Sequence, residues 1–350
     1  MCSVDYFDCL PDALLLLIFN KLQDAKSLTK CLLVSKRFSS LIPLTDTIFI
    51  SIPPLRQHQL KPNTGSYVNT LRLLFRNLLL KPLGCFHQIM APKSATRSYD
   101  SSYCQPNGVL KNFKETKSLH LELPSHGDEL GSGSGGASFL KWKAEFGSNL
   151  KTCIILGATS CQTSNKFSSS SFCLRQKQEE CMEETLTDDE LKLRVIWTIS
   201  CLIAASTRHY LFKQILADHP IPKLQRVLIS DAKKQGKFYV GKDELGELRN
   251  SVNSEQETLE SSSMERTPFP ELSMKLWYLP MLELPESGYV MRGATLVLIR
   301  PVDGIIEQSS STDIIVGSLD SEGDDGKAFS EAAREMIKVK KSYLMTMSSF

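Results

Sequence analysis

The sequence predicts an α/β protein in which three short helices precede an irregular domain of alternating strands and helices. Two observations carry this prediction. Short apolar strands recur along the 350-residue chain, and segments with helical periodicity lie between them. Strands that alternate with helices favour a mainly parallel sheet with right-handed connections. The chain is long enough for two or three domains and for a substantial core.

The first predicted element is a group of three short helices that ends before Pro43. Pro11 suits the first turn of a helix, where its missing N–H costs nothing, and Asp12 in the same turn opposes the helix dipole favourably. The polar stretch 24–27 separates the first helix from the second, and Ser35 begins the third.

Five segments rich in β-branched and apolar residues are predicted as strands. They are TDTIFISIPP (45–54), KSLHLELP (117–124), LKTCIILG (150–157), LQRVLISD (224–231) and ATLVLIRP (294–301). The alternation in 117–124 predicts one covered face, whereas the denser runs predict burial on both faces, as in a parallel sheet. Their unequal spacing does not fit a regular leucine-rich horseshoe with repeats of about 20–29 residues. We therefore expect an irregular, degenerate leucine-rich-repeat-like α/β domain.

Helices are predicted over 68–81, 187–217 and 328–343. The second is the strongest, because Thr187 or Asp188 can cap its first turn. Its apolar stripe consists of Leu191, Val195, Ile199, Leu202 and Ile203. Trp197, beside this stripe, is expected in the core. Trp142 and Phe146 have the i, i+4 spacing of residues on one helical face.

These elements predict four parts of the chain: a helical unit over 1–43, an α/β domain over 44–306, a disordered acidic and serine-rich linker over 307–327, and a helix and tail over 328–350. Flexible insertions are expected near 124–138 and 161–184. Serine, glycine and acidic residues dominate these stretches, which bury too little apolar surface to offset their ordering entropy.

The composition argues against several classes of partner and site. The balance of 41 basic and 39 acidic residues does not indicate binding to nucleic acid or to a membrane surface. Ten cysteines occur without a Cys-x-x-Cys pair, so no metal site is expected. The start carries no secretory signal pattern, and no apolar run reaches the roughly 18 residues that span a bilayer. We expect a location in the nucleus, the cytoplasm or both.

Two motifs invite a catalytic interpretation. Gly131–Gly136 matches Gly-x-Gly-x-x-Gly, but it does not follow a strand directly, so a linker is the better interpretation. Arg208, His209 and Tyr210 form a polar cluster on the long predicted helix, without an evident nucleophile. We expect a surface patch or a satisfied network there. No catalytic, cofactor-binding or metal-binding residue is predicted, and no cofactor.

The first helix is unusually apolar. Residues 14–19 are six consecutive apolar side chains, and they point to several sides of a helix. A unit of about 40 residues without metal or disulfides is near the lower size limit for independent folding. Fully burying one such side chain stabilises by about 1.5–3 kcal/mol. Either the remainder of the chain or a second protein must therefore cover this helix.

The stretch LPDALLLLIFNKLQDAKSLTKCLLVSKRFSSLI, residues 10–42, resembles an F-box. The pattern is Leu-Pro near the start, an apolar helix ending in leucine, a polar turn, and Val-x-Lys/Arg-Arg-aromatic near the end. The chain departs from it in Phe38, where tryptophan is commonest, and in Ser35, where cysteine is frequent. KWKAEFG (141–147) and RVIWTISCLIAASTRHYL (194–211) are similar to blocks of a plant F-box group that includes auxin-up-regulated members.

The resemblance implies docking on a Skp-type adaptor, which links to cullin and RING subunits. The residues implied at this interface, or directly supporting it, are Leu10, Pro11, Leu14, Leu15, Ile18, Leu22, Leu28, Val34 and Phe38. For Leu28, Val34 and Phe38, a place in the small unit's own core is an equal alternative.

The function implied is that of a non-catalytic substrate receptor in an SCF-type (Skp–cullin–F-box) ubiquitin ligase, which holds an unknown protein target for ubiquitylation and proteasomal degradation. The alternative is a scaffold that binds the adaptor without promoting ubiquitylation. An enzyme in the α/β part would instead need a pocket with convergent ionisable groups.

Overall fold

A computed structural model describes residues 6–7, 9–52, 109–124, 139–163, 187–255, 266–302 and 324–348. The predicted helix over 68–81 and the glycine-rich motif at 131–136 lie outside these residues. So do 125–138, 164–186 and 303–323, which include most of the predicted flexible insertions and linker.

Three helices come first in the described part of the chain. They are α1 (Asp12–Leu22), α2 (Ala25–Cys31) and α3 (Lys36–Leu41), followed by a 3₁₀ turn over Ile42–Leu44. The Asp24 carboxylate accepts from the Ser27 N–H at 2.9 Å and caps α2. The Ser35 hydroxyl accepts from the Phe38 N–H at 3.1 Å and caps α3. Local sequence therefore fixes where α2 and α3 begin, whereas α1 begins after Pro11 without a side-chain cap.

The strands of the described residues form a single ten-stranded sheet. They are β1 (Thr47–Ser51), β2 (Ser118–Leu123), β3 (Phe139–Phe146), β4 (Leu150–Ala158), β5 (Ser160–Thr163), β6 (Arg226–Asp231), β7 (Gly236–Val240), β8 (Leu272–Leu284), β9 (Tyr289–Pro301) and β10 (Tyr343–Met347). Their order is β1-β2-β6-β7-β3-β4-β9-β8-β10, and β5 pairs with β9. All five predicted strand segments are confirmed.

The expectation of a mainly parallel sheet is wrong. β1 with β2, β2 with β6, and β3 with β7 are parallel, whereas the remaining pairs are antiparallel. The leucine-rich-repeat-like character is not confirmed, because stacked repeats pair strands in chain order and β7 here lies between β6 and β3. The dense run in β4 is buried on both faces, as predicted, but beside antiparallel neighbours.

Helices cover both faces of the sheet. The long α4 (Asp188–Asp218) packs against β3, β4 and β7 on one face, with α5 (Lys242–Glu255) beside it. On the other face, α6 (Asp324–Ile337) packs against β8 and β9. Side chains of β4 alternate between the two cores: Ile155 faces the core that includes α4, and Ile154 faces the core that includes α6.

Two sequence interpretations of local structure are corrected. Residues 139–146 are strand β3 rather than a helix, and Trp142, Ala144 and Phe146 lie on its buried face. The spacing of Trp142 and Phe146 fits both structures, because side chains in a strand alternate with a period of two and residues four apart therefore share a face. The predicted closing helix begins at Asp324 and ends at Ile337, and the chain then forms strand β10, which pairs with β8. The end of the chain therefore extends the sheet.

The predicted apolar stripe of α4 is not the face that packs most tightly. Of the predicted stripe, Leu191 and Val195 are exposed, Ile199 and Ile203 are half-buried and Leu202 is in the core. Arg194, Trp197 and Cys201, outside the stripe, are buried. The Arg194 guanidinium donates to Thr295 Oγ1 at 3.2 Å and to the Gly293 carbonyl at 3.3 Å. An arginine is accepted on the inner face because the sheet supplies these acceptors.

Candidate functional site

Helix α1 has two apolar faces with different surroundings. Leu15 and Phe19, four residues apart, are buried in the main core of the molecule. A second set lies on the adjacent face of the helix and is exposed: Leu14, Leu17, Ile18 and Leu22. The spacing i, i+3, i+4, i+8 places these four on one broad stripe. We call Leu14, Leu17, Ile18 and Leu22 the exposed α1 stripe.

Arg37 fastens the segment before α1 to helix α3. Its Nε donates to Asp12 Oδ1 at 2.8 Å, and its Nη1 donates to the Phe7 carbonyl at 3.1 Å. Nη2 donates to the Leu10 carbonyl and lies 2.6 Å from Asp12 Oδ1. One planar guanidinium thus ties three points of the entering chain to α3. This geometry explains why an arginine precedes the aromatic residue.

Phe38 packs edge-on against two other phenylalanine rings. Its ring centroid lies 5.1 Å from that of Phe19 and 6.1 Å from that of Phe7, at 77° and 82° between planes. Edge-to-face pairs at these distances are favourable. Phe38 is half-buried and joins the buried face of α1 to the entering chain.

The predicted interface residues divide into three groups by exposure. Pro11, Leu14, Ile18, Leu22 and Val34 are exposed, and Leu10 and Phe38 are half-buried. Leu15 and Leu28 lie in the main core. The latter two can support a docking surface but do not present side chains to it.

Sequence reasoning left two residues out of this surface. Leu17 is exposed beside Leu14 and Ile18, and Leu33 is exposed next to Val34. The i+3 spacing from Leu14 already pointed to Leu17. No helical spacing identified Leu33, because it lies in the turn between α2 and α3.

The helical unit is joined firmly to the sheet. The Phe49 N–H of β1 donates to the Gln23 carbonyl at 2.9 Å, and the Asp46 N–H donates to Asn20 Oδ1 at 2.8 Å. Leu15 and Leu28 share one core with Ile48 of β1. The exposed α1 stripe therefore has a fixed orientation relative to the sheet.

The polar cluster on α4 is in the core rather than on the surface. Arg208 Nη2 lies 3.3 Å from Asp231 Oδ2, and the guanidinium carbon of Arg208 lies 4.5 Å from the centre of the Trp142 ring. Burial lowers the pKa of Arg208 from its usual value, although Asp231 opposes that shift. Asp231 also accepts from the N–H groups of Gln235 and Gly236, both at 2.8 Å, which holds the β6–β7 turn.

His209 is a structural residue. Its Nε2 lies 3.0 Å from the Gly147 carbonyl and its Nδ1 lies 2.9 Å from Thr267 Oγ1. The imidazole stacks on Phe146 at 4.5 Å between centroids. Burial lowers the pKa of His209 to about 3, so it is neutral at physiological pH. Both ring nitrogens of His209 have partners within the fold. The expected satisfied network is therefore found at His209 but not at Arg208, whose buried Nε and Nη1 have no hydrogen-bond partner among the described residues.

The described parts of the chain contain neither a cluster of metal-ligating side chains nor a membrane-spanning helix. No three His, Cys, Asp or Glu side chains there group as metal ligands would. Among the same residues, no helix combines the length and the apolar character needed to cross a bilayer. Cys153 and Cys201 are free and buried, and burial raises the pKa of both thiols.

Fold and surface together define a small helical unit with an exposed apolar stripe, fixed to the edge of a mixed α/β sheet domain. Residues 7–49 match the F-box-like family profile. Across 99% of its length, the chain is 38% identical to F-box protein At1g30200 of Arabidopsis thaliana, covering 94% of that protein. It is 38% identical to F-box protein At4g18380, covering 95% of it, and 29% identical to F-box protein AUF1, covering all of it, both from Arabidopsis thaliana.

The chain belongs to the F-box protein family. The match to AUF1 over the whole length confirms the resemblance to the plant group with auxin-up-regulated members. Membership implies a Skp-type adaptor as partner of the helical unit. No solved structure matches the chain.

Proposed function

We propose that the protein is a substrate-recognition subunit of an SCF-type ubiquitin ligase. The observation that carries the proposal is the division of α1 into a buried face and the exposed α1 stripe. Leu15 and Phe19 fix the helix to its own chain, and the four stripe residues are left for another protein. Apolar side chains clustered on a rigid helix are typical of a docking surface.

Burial of this stripe supplies a useful part of an interface. Leu14, Leu17, Ile18 and Leu22 are each about half exposed. Removing the remaining half from water contributes roughly 1 kcal/mol for each side chain. Leu33, Val34 and Pro11 extend the apolar area. A Skp-type adaptor that covers these residues, and through them links to cullin and RING subunits, accounts for their exposure.

In this proposal the chain does no covalent chemistry. It holds a protein target on the α/β domain at a fixed position relative to the adaptor, because the hydrogen bonds from Phe49 to Gln23 and from Asp46 to Asn20 join the two parts. A fixed position raises the effective concentration of target lysines at the ubiquitin carrier. Proteasomal degradation of the target, and a nuclear or cytoplasmic location, belong to the same proposal.

The second function to test is a scaffold that binds the adaptor without presenting targets for ubiquitylation. The two differ in what removal of the protein does. If the protein is a receptor, its target proteins should accumulate when it is removed and decline again when the wild-type protein is restored. A variant with a disrupted α1 stripe should not bring about this decline. A scaffold predicts no such set.

Co-purification with a Skp-type adaptor tests the proposed interface. Ile18→Asp should abolish recovery of the adaptor, because a charge buried without a partner costs several kcal/mol. Val195→Asp is the matched control: Ile18 and Val195 are 43% and 41% exposed, and Val195 lies on α4 rather than in the helical unit. Recovery of the adaptor by Ile18→Asp, or equal loss with Val195→Asp, would contradict the proposal.

A further inference from the structure

The two outermost strands of the sheet, β1 and β10, have different surroundings. The helical unit covers the outer side of β1, because the Phe49 N–H donates to the Gln23 carbonyl at 2.9 Å and Asp24 forms a bridge with Phe49. Among the described residues, β10 pairs with β8 and with no other strand. We call the side of β10 that faces away from β8 the β10 edge.

The described helices are packed on inner strands of the sheet. Helix α6 packs mainly against β8 and β9, and α4 packs mainly against β3, β4 and β7. The strands that flank residues 53–108 in the chain, β1 and β2, lie at the opposite edge. Another strand that approaches the β10 edge in the plane of the sheet therefore does not meet the bulk of these helices.

Strand β10 lacks the features by which edge strands avoid pairing with other chains. Charged side chains, prolines and bulges are the usual protection. β10 reads YLMTM, without a charge or a proline, and it pairs with β8 through five consecutive residues without a bulge. Leu344 is 73% exposed, which is the highest value for a large apolar side chain in the described α/β domain. A regular, apolar edge of this kind is a template for a further strand.

We infer that the β10 edge pairs with the β10 edge of a second copy of the chain, antiparallel and about a two-fold axis at Met345. This interaction goes beyond the proposed function. On one face, Tyr343 lies opposite Met347 of the second copy, and contacts between aromatic rings and thioethers are favourable. On the other face, Leu344 lies opposite Thr346 of the second copy and diagonally across from its Leu344. The exposed leucine is thereby covered.

The distribution of charge fits an identical copy as the occupant. The strand itself is neutral, and Lys340 and Lys341 precede it. In the antiparallel arrangement the Lys341 residues of the two copies lie eight positions apart, which is roughly 27 Å at 3.4 Å per residue. This separation is well beyond the Debye length of about 8 Å at physiological ionic strength. A parallel arrangement would bring the same lysines side by side, so the charges select the two-fold pairing.

The test measures the association state of the full-length protein by sedimentation velocity over a series of concentrations. Hydrogen exchange of the backbone amides of residues 343–347 is followed over the same series. The test variants are Leu344→Lys and Thr346→Lys, which place a charge on the β10 edge. Leu191→Lys is the matched control, because Leu191 is also an exposed leucine but lies on α4. Thermal melting of each variant verifies folding.

We expect a monomer that becomes a dimer as the concentration rises. A pairing of five residues is smaller than the standard interface of about 1,200–2,000 Å², so the dissociation constant should lie in the micromolar range. Leu344→Lys and Thr346→Lys should each raise this constant at least tenfold, while Leu191→Lys leaves it unchanged. Exchange of the β10 amides should become slower as the dimer forms.

Several results would overturn the inference. A monomer at every concentration, or a dimer that persists in Leu344→Lys, would show that the β10 edge does not join two copies. Amides of β10 that are protected equally at all concentrations would show that another part of the same chain covers this edge. The series is repeated with Ile18→Asp, which should keep the dimer; loss of the dimer there would assign association to the exposed α1 stripe. Adaptor binding is measured separately, so the proposed function stands or fails independently.

Discussion

Leu14 and Leu15 are adjacent in α1, yet Leu14 is 49% exposed and Leu15 is 1% exposed. Leu15 packs in the core that the helical unit shares with β1, whereas Leu14 belongs to the exposed α1 stripe. A single step of about 100° around the helix therefore separates a residue that holds the protein together from one that is available to a partner.

This difference predicts opposite phenotypes for substitutions at the two positions. Leu14→Asp should remove adaptor binding and leave the free energy of unfolding within about 0.5 kcal/mol of the wild type, since it changes an exposed position. Leu15→Ala should lower the free energy of unfolding by about 2–5 kcal/mol because it leaves a core cavity. Urea denaturation and adaptor pull-down on the same preparations measure both quantities. Strong destabilisation by Leu14→Asp would show that the stripe is covered within the chain.

Arg37 is predicted to position the entering segment for adaptor binding. Arg37→Lys keeps the charge but loses the fork that contacts Asp12 and the carbonyls of Phe7 and Leu10. We expect adaptor affinity to fall several-fold, with a loss of stability of about 1 kcal/mol or less because the ion pair is largely exposed. Titration calorimetry with the purified adaptor measures the affinity. Asp12→Asn removes only the ion pair and should reduce adaptor affinity less than Arg37→Lys does. An equal loss of affinity in both variants would show that the ion pair alone positions the entering segment.

The buried pair Arg208–Asp231 should respond asymmetrically to removal of its two members. Asp231→Ala leaves the Arg208 charge buried and removes the acceptor of two turn N–H groups, so we expect a loss of about 3–5 kcal/mol. Arg208→Met should cost less, because Asp231 keeps its two backbone donors. Urea unfolding of both variants gives the comparison. A larger loss for Arg208→Met would indicate that stacking on Trp142 dominates.

His209 predicts a dependence of stability on pH. Its pKa is lowered to about 3 in the folded protein, against about 6.5 when unfolded. Between these values only the unfolded chain takes up the proton, so stability is complete above about pH 6.5 and falls as the pH is lowered. The contribution is about 1.4 kcal/mol for each pH unit below 6.5.

Urea denaturation at pH 7.5 and 5.5 tests this dependence. His209→Gln removes the titrating group, so the fall in its unfolding free energy between these pH values should be about 1.4 kcal/mol smaller than in the wild type. Other titrating groups, including half-buried His120, are present in both proteins and cancel in the comparison. Equal falls would contradict the assignment of a neutral buried imidazole.

Gly157 allows the Trp197 ring of α4 to lie against β4. A Cβ at this position would lie 2.5 Å from the Trp197 ring, so Gly157→Ala should lower stability by about 1–3 kcal/mol through overpacking. Gly246 in α5 is the matched control, because a Cβ there meets no atom within 4 Å. Gly246→Ala should instead stabilise by up to about 1 kcal/mol through helix propensity. Thermal melting of the two variants measures the contrast, and a stabilised Gly157→Ala would show that the ring moves at little cost.

The sequence by itself determined the elements whose signals are local. The polar break at 24–27, Ser35 and the apolar period located the three helices, and the β-branched runs located β1, β2, β4, β6 and β9. The motif at 10–42 was sufficient to indicate the family. It also placed Leu14, Ile18 and Leu22 on the candidate surface, where the structure finds them exposed.

Only the tertiary structure decided how these elements combine. β7 lies beside β3, about ninety positions away in the chain, so no local pattern announces that pairing or its direction. The same holds for α4: its leucine and valine stripe looked like the inner face, but the sheet provides acceptors for Arg194 and Arg208 and space beside Gly157 for Trp197. A periodic pattern shows that a face can be buried, whereas the neighbours that supply contacts and hydrogen-bond partners decide which face is.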